Sequence, residues 1–187
     1  MSTFTVEEQD TLLRLVRQTI RQYLLSRSEP PLPPAPAAFQ ASRGVFVTLH
    51  SHGDLRGCIG YPLPVKPLWE AVADNAIAAA TQDPRFPPVT LDELAEIDIE
   101  ISVLTVPVKV SGPDQVEVGR DGILITSGYH RGLLLPQVPQ EWGWDREEYL
   151  SHGCLKAGLP ADQWRHGVTI ETFQAEVFAE KARPSPP

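Results

Sequence analysis

The chain has 187 residues, 42% hydrophobic and 21% charged, with a formal net charge of −8. This is the composition of one folded globular domain, with or without a small subdomain, and not of a disordered or membrane-embedded chain. The acidic balance and the lack of a Lys/Arg cluster argue against nucleic-acid binding, whose affinity comes largely from phosphate neutralisation.

No apolar run is long enough to span a bilayer, and the polar start Met1–Asp10 reads as neither a secretory signal nor a transit peptide. The two cysteines, Cys58 and Cys154, read as free thiols of a reducing compartment. A cytoplasmic protein without a membrane anchor is therefore expected.

Along the chain, Thr5 and Glu8 form a capping box. Leu12, Val16, Ile20, Tyr23 and Leu24 then follow the 3.6-residue period, which predicts an amphipathic helix of about five turns ending before Pro30. Residues 30–38 (PPLPPAPAA) lack helical donors and strand alternation, and read as an extended connector. Gly44–His50 and Leu55–Gly60 predict two strands joined by the His-Gly-Asp turn. Leu68–Gln82 is an alanine-rich helix whose small residues let it sit close to a sheet, and Asp83–Pro88 (DPRFPP) is a rigid loop.

Thr90 and Glu93 suggest a second capping box on a very short helix. Ile97, Ile99, Ile101 and Val103 alternate with Asp98, Glu100 and Ser102, the pattern of a half-buried strand. Gln115–Val118 and Ile123–Ser127 are expected to form a second hairpin about the turn 119–122, followed by a further turn into Leu133–Leu135. Asp145 and Glu148 open a helix that Gly158 and Pro160 stop, Thr169–Phe178 is β-rich, and residues 181–187 are expected to be a disordered tail. Mixed helices and hairpins of this kind predict an α+β fold with largely antiparallel sheets and packed helices, in a single domain over residues 1–180.

The segment Leu55-Arg56-Gly57-Cys58-Ile59-Gly60 holds the best candidates for function. In a regular strand Arg56 and Cys58 point the same way, and a guanidinium beside a thiol favours the nucleophilic thiolate. Gly57 and Gly60 let another backbone or a ligand come close. The alternative is a buried structural thiol, with Arg56 pairing a carboxylate elsewhere. Asp83 and Arg85 lie in the rigid loop, where Asp83 could pair with Arg56, or Arg85 could hold an anion bidentately; local ion pairing around a helix stop is the bland reading. Glu100 could act as a base or hold Arg56, or simply belong to a solvated strand face. Gln137 could line the same site or serve a turn.

His50 and His52, on a strand end and loop with Cys58 beyond, lack the clear spacing of a zinc motif, and His152 and Cys154, two apart on a helix, point roughly 200° apart and cannot share one ion without help; Cys154 is expected to pack beside Leu150. No P-loop, dinucleotide fingerprint, nucleophile elbow or zincin motif is found, so no cofactor is implied.

The hexapeptide LRGCIG resembles the signature of the AMMECR family, whose bacterial and archaeal members are called the AmmeMemoRadiSam system protein A type. Further segments resemble that family in order: Gly44–Leu49 (GVFVTL), Asp83–Pro88 (DPRFPP), Glu100–Leu104 (EISVL), Val118–Gly122 (VGRDG), Gly132–Val138 (GLLLPQV), Glu141–Asp145 (EWGWD), Lys156–Leu159 (KAGL) and Phe173–Phe178 (FQAEVF). The resemblance implies one α+β globule with a larger and a smaller subdomain, and a modification pathway shared with a Memo-type protein and a radical-SAM enzyme. It raises Arg56, Cys58 and the two glycines as site residues. Two functions follow as expectations: a binding component of such a pathway taking a small anionic ligand or a partner, or an enzyme using Cys58 as nucleophile or redox thiol with Arg56 stabilising an anionic substrate.

Overall fold

Residues 4–180 are described by a computed structural model; the expected tail 181–187 lies outside them. The fold is α+β, with two open antiparallel sheets of four strands each. Two compact units divide the described residues. One runs up to Val103 and resumes at Glu176; the other is Leu104–Ala175.

In the first unit, helix α1 (Val6–Ser26) opens on the reciprocal Thr5–Glu8 capping box and buries Leu12, Leu13, Leu15, Val16, Ile20 and Leu24. Strands β1 (Val45–Ser51) and β2 (Asp54–Tyr61) meet at a tight turn, where His52 and Gly53 both have positive φ, 52° and 88°. That is the backbone twist a two-residue hairpin favours. Helix α2 (Leu68–Thr81) packs on both strands and on α1. It buries Ala71, Ala73, Ala76, Ala79 and Ala80, the small side chains that allow close approach.

Strand β3 (Ile97–Leu104) pairs antiparallel with β1, and β8 (Ala175–Ala179) completes the order β2-β1-β3-β8. Val45, Val47, Leu49, Ile97, Ile99 and Ile101 are wholly buried. At about 1.5–3 kcal/mol per fully buried aliphatic side chain, this face fixes the register of the sheet.

The second unit orders its strands β4-β7-β5-β6: β4 is Val108–Lys109, β5 Gly122–Ser127, β6 His130–Leu134 and β7 Thr169–Phe173. Helix α3 (Val138–Trp142) is short, and α4 (Arg146–Lys156) begins on a reciprocal Asp145–Glu148 capping box. Ile123, Ile125, Tyr149, Leu150 and Cys154 form its core.

Two local expectations are corrected. Residues 115–118 do not pair with 123–127; β5 turns at Gly128-Tyr129 into β6 instead. Polar bonding captures the preceding stretch, where the Asp121 carboxylate accepts the Glu117 N–H at 3.0 Å and two N–H groups of Arg120, local bonds that compete with a strand ladder. The β-rich run 169–178 is also two strands of different sheets, parted at exposed Gln174, whose N–H donates to Thr105 Oγ1 at 2.8 Å.

Candidate functional site

The site lies in the first unit, on the face of its sheet away from the helices. There Cys58, Thr48 and Glu100 are direct cross-strand neighbours on β2, β1 and β3, a row about 10 Å wide at the usual strand spacing. The Thr48 hydroxyl donates to Cys58 Sγ at 3.2 Å. Thr48 is buried, and Cys58 and Glu100 are half-buried. The Glu100 side chain makes no hydrogen bond or ion pair among the described residues. It does not hold Arg56.

The alternation expected of Arg56 and Cys58 is interrupted. His50 faces Leu55 and Leu49 faces Gly57, so Arg56 is the extra residue of a β-bulge. Bulges re-aim side chains, and this one sends the guanidinium to Glu93. Arg56 Nε and Nη2 donate to the two carboxylate oxygens, the second at 3.1 Å. The Arg56 side chain is only 14% exposed. The Arg56 guanidinium holds the Glu93 carboxyl below its ordinary range, against the opposing effect of burial. Glu93 also closes the Thr90 capping box, accepting from Thr90 N–H while its own N–H donates to Thr90 Oγ1. Arg56 is therefore a bridge from β2 to the turn before β3.

Asp83 pairs with Arg85 and not with Arg56. The Asp83 side chain is 2% exposed, and four donors satisfy it: Cys58 N–H at 2.9 Å, Arg85 N–H at 3.1 Å, Arg85 Nε at 2.9 Å and Arg85 Nη2 at 2.7 Å. The Arg85 hydrogen bonds hold its carboxyl well below the usual carboxylate range, with the Cys58 N–H adding to them against burial. Arg85 is raised in turn, first by Asp83 and least by attraction to Cys58. Its side chain stays 53% exposed. The Phe86 ring lies 5.5 Å from the Arg85 guanidinium and 5.9 Å from that of Arg56, within cation–π range. The cation that is oriented, exposed and joined to the Cys58 backbone through Asp83 is thus Arg85.

Protein atoms come close at both glycines, and of the two alternatives for them, another backbone or a ligand, Gly57 takes the first. A Cβ on Gly57 would sit 2.2 Å from the Ala79 carbonyl oxygen, so helix backbone takes the space a ligand would need. A Cβ on Gly60 would lie 2.4 Å from the Phe46 ring and from the Val45 carbonyl oxygen. Gln137 belongs to the second unit, where its carbonyl accepts from Gln140 and Glu141 at the start of α3.

Sequence reasoning missed Thr48 as the partner of Cys58 and Glu93 as the partner of Arg56. Counting back from the hairpin turn would have paired Thr48 with Gly57; only the bulge brings it opposite Cys58. Cys154 is wholly buried beside Leu150, and His152 stacks on Trp144 with ring centroids 3.7 Å apart, so the two share no site. Among the described residues no three His, Cys, Asp or Glu side chains are grouped to hold a metal ion. No helix among them is long and apolar enough to cross a membrane.

The fold and this network define an α+β chain whose first unit carries a thiol on its sheet and an oriented arginine in the loop after α2. Residues 13–178 match the AMMECR1 family, and the chain belongs to it. It is 50% identical to protein MJ0810 of Methanocaldococcus jannaschii over 189 residues, covering 96% of this chain and 94% of that one. It is likewise 50% identical to protein MK0488 of Methanopyrus kandleri over 192 residues, covering 97% and 93%. The crystal structure of the uncharacterized protein PH0010 from Pyrococcus horikoshii is similar, with a TM-score of 0.82 at 44% identity, covering 96% of this chain and 95% of that one.

Proposed function

We propose that the chain is a binding component of a modification pathway, and that it takes a small anionic ligand, or an anionic group carried by a partner, beside Cys58. The observation that carries this reading is the buried Asp83 carboxylate, which joins the Cys58 N–H to the guanidinium of Arg85. It fixes an exposed cation next to a half-buried thiol, the arrangement that receives a carboxylate or phosphate. Arg56, neutralised by Glu93, positions strand and loop and does not contact the ligand. The pathway companions, a Memo-type protein and a radical-SAM enzyme of the cytoplasm, rest on the family resemblance alone.

Native mass spectrometry of the chain purified from its own cells tests the reading. Wild type is expected to retain a small anionic adduct that Arg85→Gln loses. Wild type without any adduct, and without affinity for carboxylates or phosphate in calorimetry, would overturn it.

A second reading, an enzyme with Cys58 as nucleophile or redox thiol, is favoured by one observation. The Thr48 hydroxyl orients the sulfur while leaving the residue half-buried. A pH series of alkylation decides it: a Cys58 that reacts no faster than a free thiol near neutrality ends the nucleophile reading.

A further inference from the structure

A second feature of the first unit stands apart from the Cys58 face. Along α1 runs an open groove of about 480 Å³, walled by Arg14, Arg17 and Arg21 and floored by Leu91, Leu94 and Ala95. A second hollow of about 410 Å³ shares Gln18 and Arg21 and reaches Leu25, so the depression is elongated along the helix.

The three arginines are not equivalent. Arg17 is built in: its Nε donates to Glu180 at 2.7 Å, Nη1 to the Leu94 carbonyl at 2.9 Å and Nη2 to the Ile97 carbonyl at 2.6 Å. This locks α1 onto the segment that forms the floor, so the groove is preformed. The Arg14 side chain donates to the Thr11 hydroxyl at 3.1 Å and makes no ion pair among the described residues. Arg21 has no hydrogen bond or ion pair among the described residues. Both are exposed.

Two uncompensated cations therefore flank an apolar floor on a chain whose net charge is −8. Arg14 and Arg21 are seven residues apart, on one face of the helix and about 10 Å from each other along its axis. Leu91 is 41% exposed, and Leu25, at the far end, 60%.

We propose that this groove docks an acidic segment of a partner protein. Its carboxylates, about 10 Å apart, meet Arg14 and Arg21, and an apolar side chain between them covers Leu91 and Ala95. In a polyproline II segment, with three residues per turn and about 3.1 Å per residue, that spacing is two acidic residues three positions apart on one face. The length of the groove and its apolar floor favour a peptide over a small anion, whose charge would be met at one point. Net repulsion between two chains that each carry a charge of −8 speaks against a second copy of this chain.

Selection of a random displayed peptide library against the full chain tests the proposal, independently of the Cys58 site. Enriched peptides are expected to carry two acidic residues spaced by three with an apolar residue between. Binding should fall at least about tenfold, or 1.4 kcal/mol, in the doubly charge-reversed Arg14→Glu, Arg21→Glu variant and in Leu91→Ser, but not in Arg131→Glu, a residue of the second unit that does not line the groove. Circular dichroism confirms that the exposed substitutions leave the fold intact. Enrichment without acidic spacing, or equal binding to the double variant, would overturn the proposal. So would displacement of the peptide by millimolar inorganic phosphate alone, which marks a small-anion pocket. A wild-type dimer that the double variant dissolves would assign the groove to a second copy and overturn it too.

Discussion

The carboxylate of Asp83 accepts the backbone N–H of Cys58 at 2.9 Å while it grips the guanidinium of Arg85. Strand β2 is thereby pinned to the loop after α2 through a side chain with almost no solvent contact. A hydrogen bond to a buried charged group is worth about 1.5–3 kcal/mol, so Asp83→Ala should lower unfolding stability by at least that amount in urea titration. The folded-state carboxyl is depressed, so its stabilisation is present above the unfolded Asp value near 3.9 and is lost progressively as pH falls from there through the lower folded-state value. Wild type should weaken steadily with acid over that window, and Asp83→Asn should show a flatter acid limb.

Arg56 and Glu93 form a bidentate pair with side-chain exposures of 14% and 27%. Such a pair should couple more strongly than Arg165 and Glu147, which are 51% and 66% exposed. Double-mutant cycles to alanine should give about 1–3 kcal/mol for the first pair and under about 1 kcal/mol for the second. Equal values would mean that the bulge at Arg56 does not depend on its carboxylate.

The glycines give a test of packing. Gly57→Ala drives a methyl into the Ala79 carbonyl, an atom of a helix that cannot yield. It should cost about 1–3 kcal/mol, the usual range for overpacking. Gly128→Ala meets nothing within 4 Å but has a φ of +58°, so its cost is limited to the left-handed backbone, about 1–2 kcal/mol. If Gly57→Ala left stability intact, contact with a ligand would again be a reason for that glycine.

The two thiols should separate cleanly. Cys154 is wholly buried, and burial pushes its pKa up; Cys58 is half-buried. A neutral thiol reagent should label Cys58 in the native protein and Cys154 only after unfolding, as peptide mapping of the labelled chain would read. Thr48→Val removes the hydroxyl that holds the sulfur and should change the rate of Cys58 without changing that of Cys154.

Much of the scaffold was legible because its signals are local. The Thr5–Glu8 and Asp145–Glu148 boxes, the Ile97–Val103 alternation and the His52-Gly53 turn each depend on residues a few positions apart, and each occurs as written. The network around Cys58 was legible only as a set of residue types. Its pairings depend on a bulge that shifts the register by one residue and on a carboxylate 37 positions from Arg56. Periodicity carries neither. The same holds for Gln174, where one β-rich run divides between two sheets, a choice made by partners and not by the run itself.

The account centres on Arg85 presenting positive charge to the solvent-reachable side of Cys58. Comparing the alkylation rates of Cys58 by iodoacetate and by iodoacetamide reads this directly, because the reagents differ in charge and little in size. In wild type the ratio of anionic to neutral rate should exceed that of a free thiol by about threefold or more at low salt and shrink as salt is added. Arg85→Lys should keep much of the excess, and Arg85→Gln should lose it. A ratio indifferent to Arg85, or a Cys58 that reacts with neither reagent until the chain unfolds, would contradict the anion site.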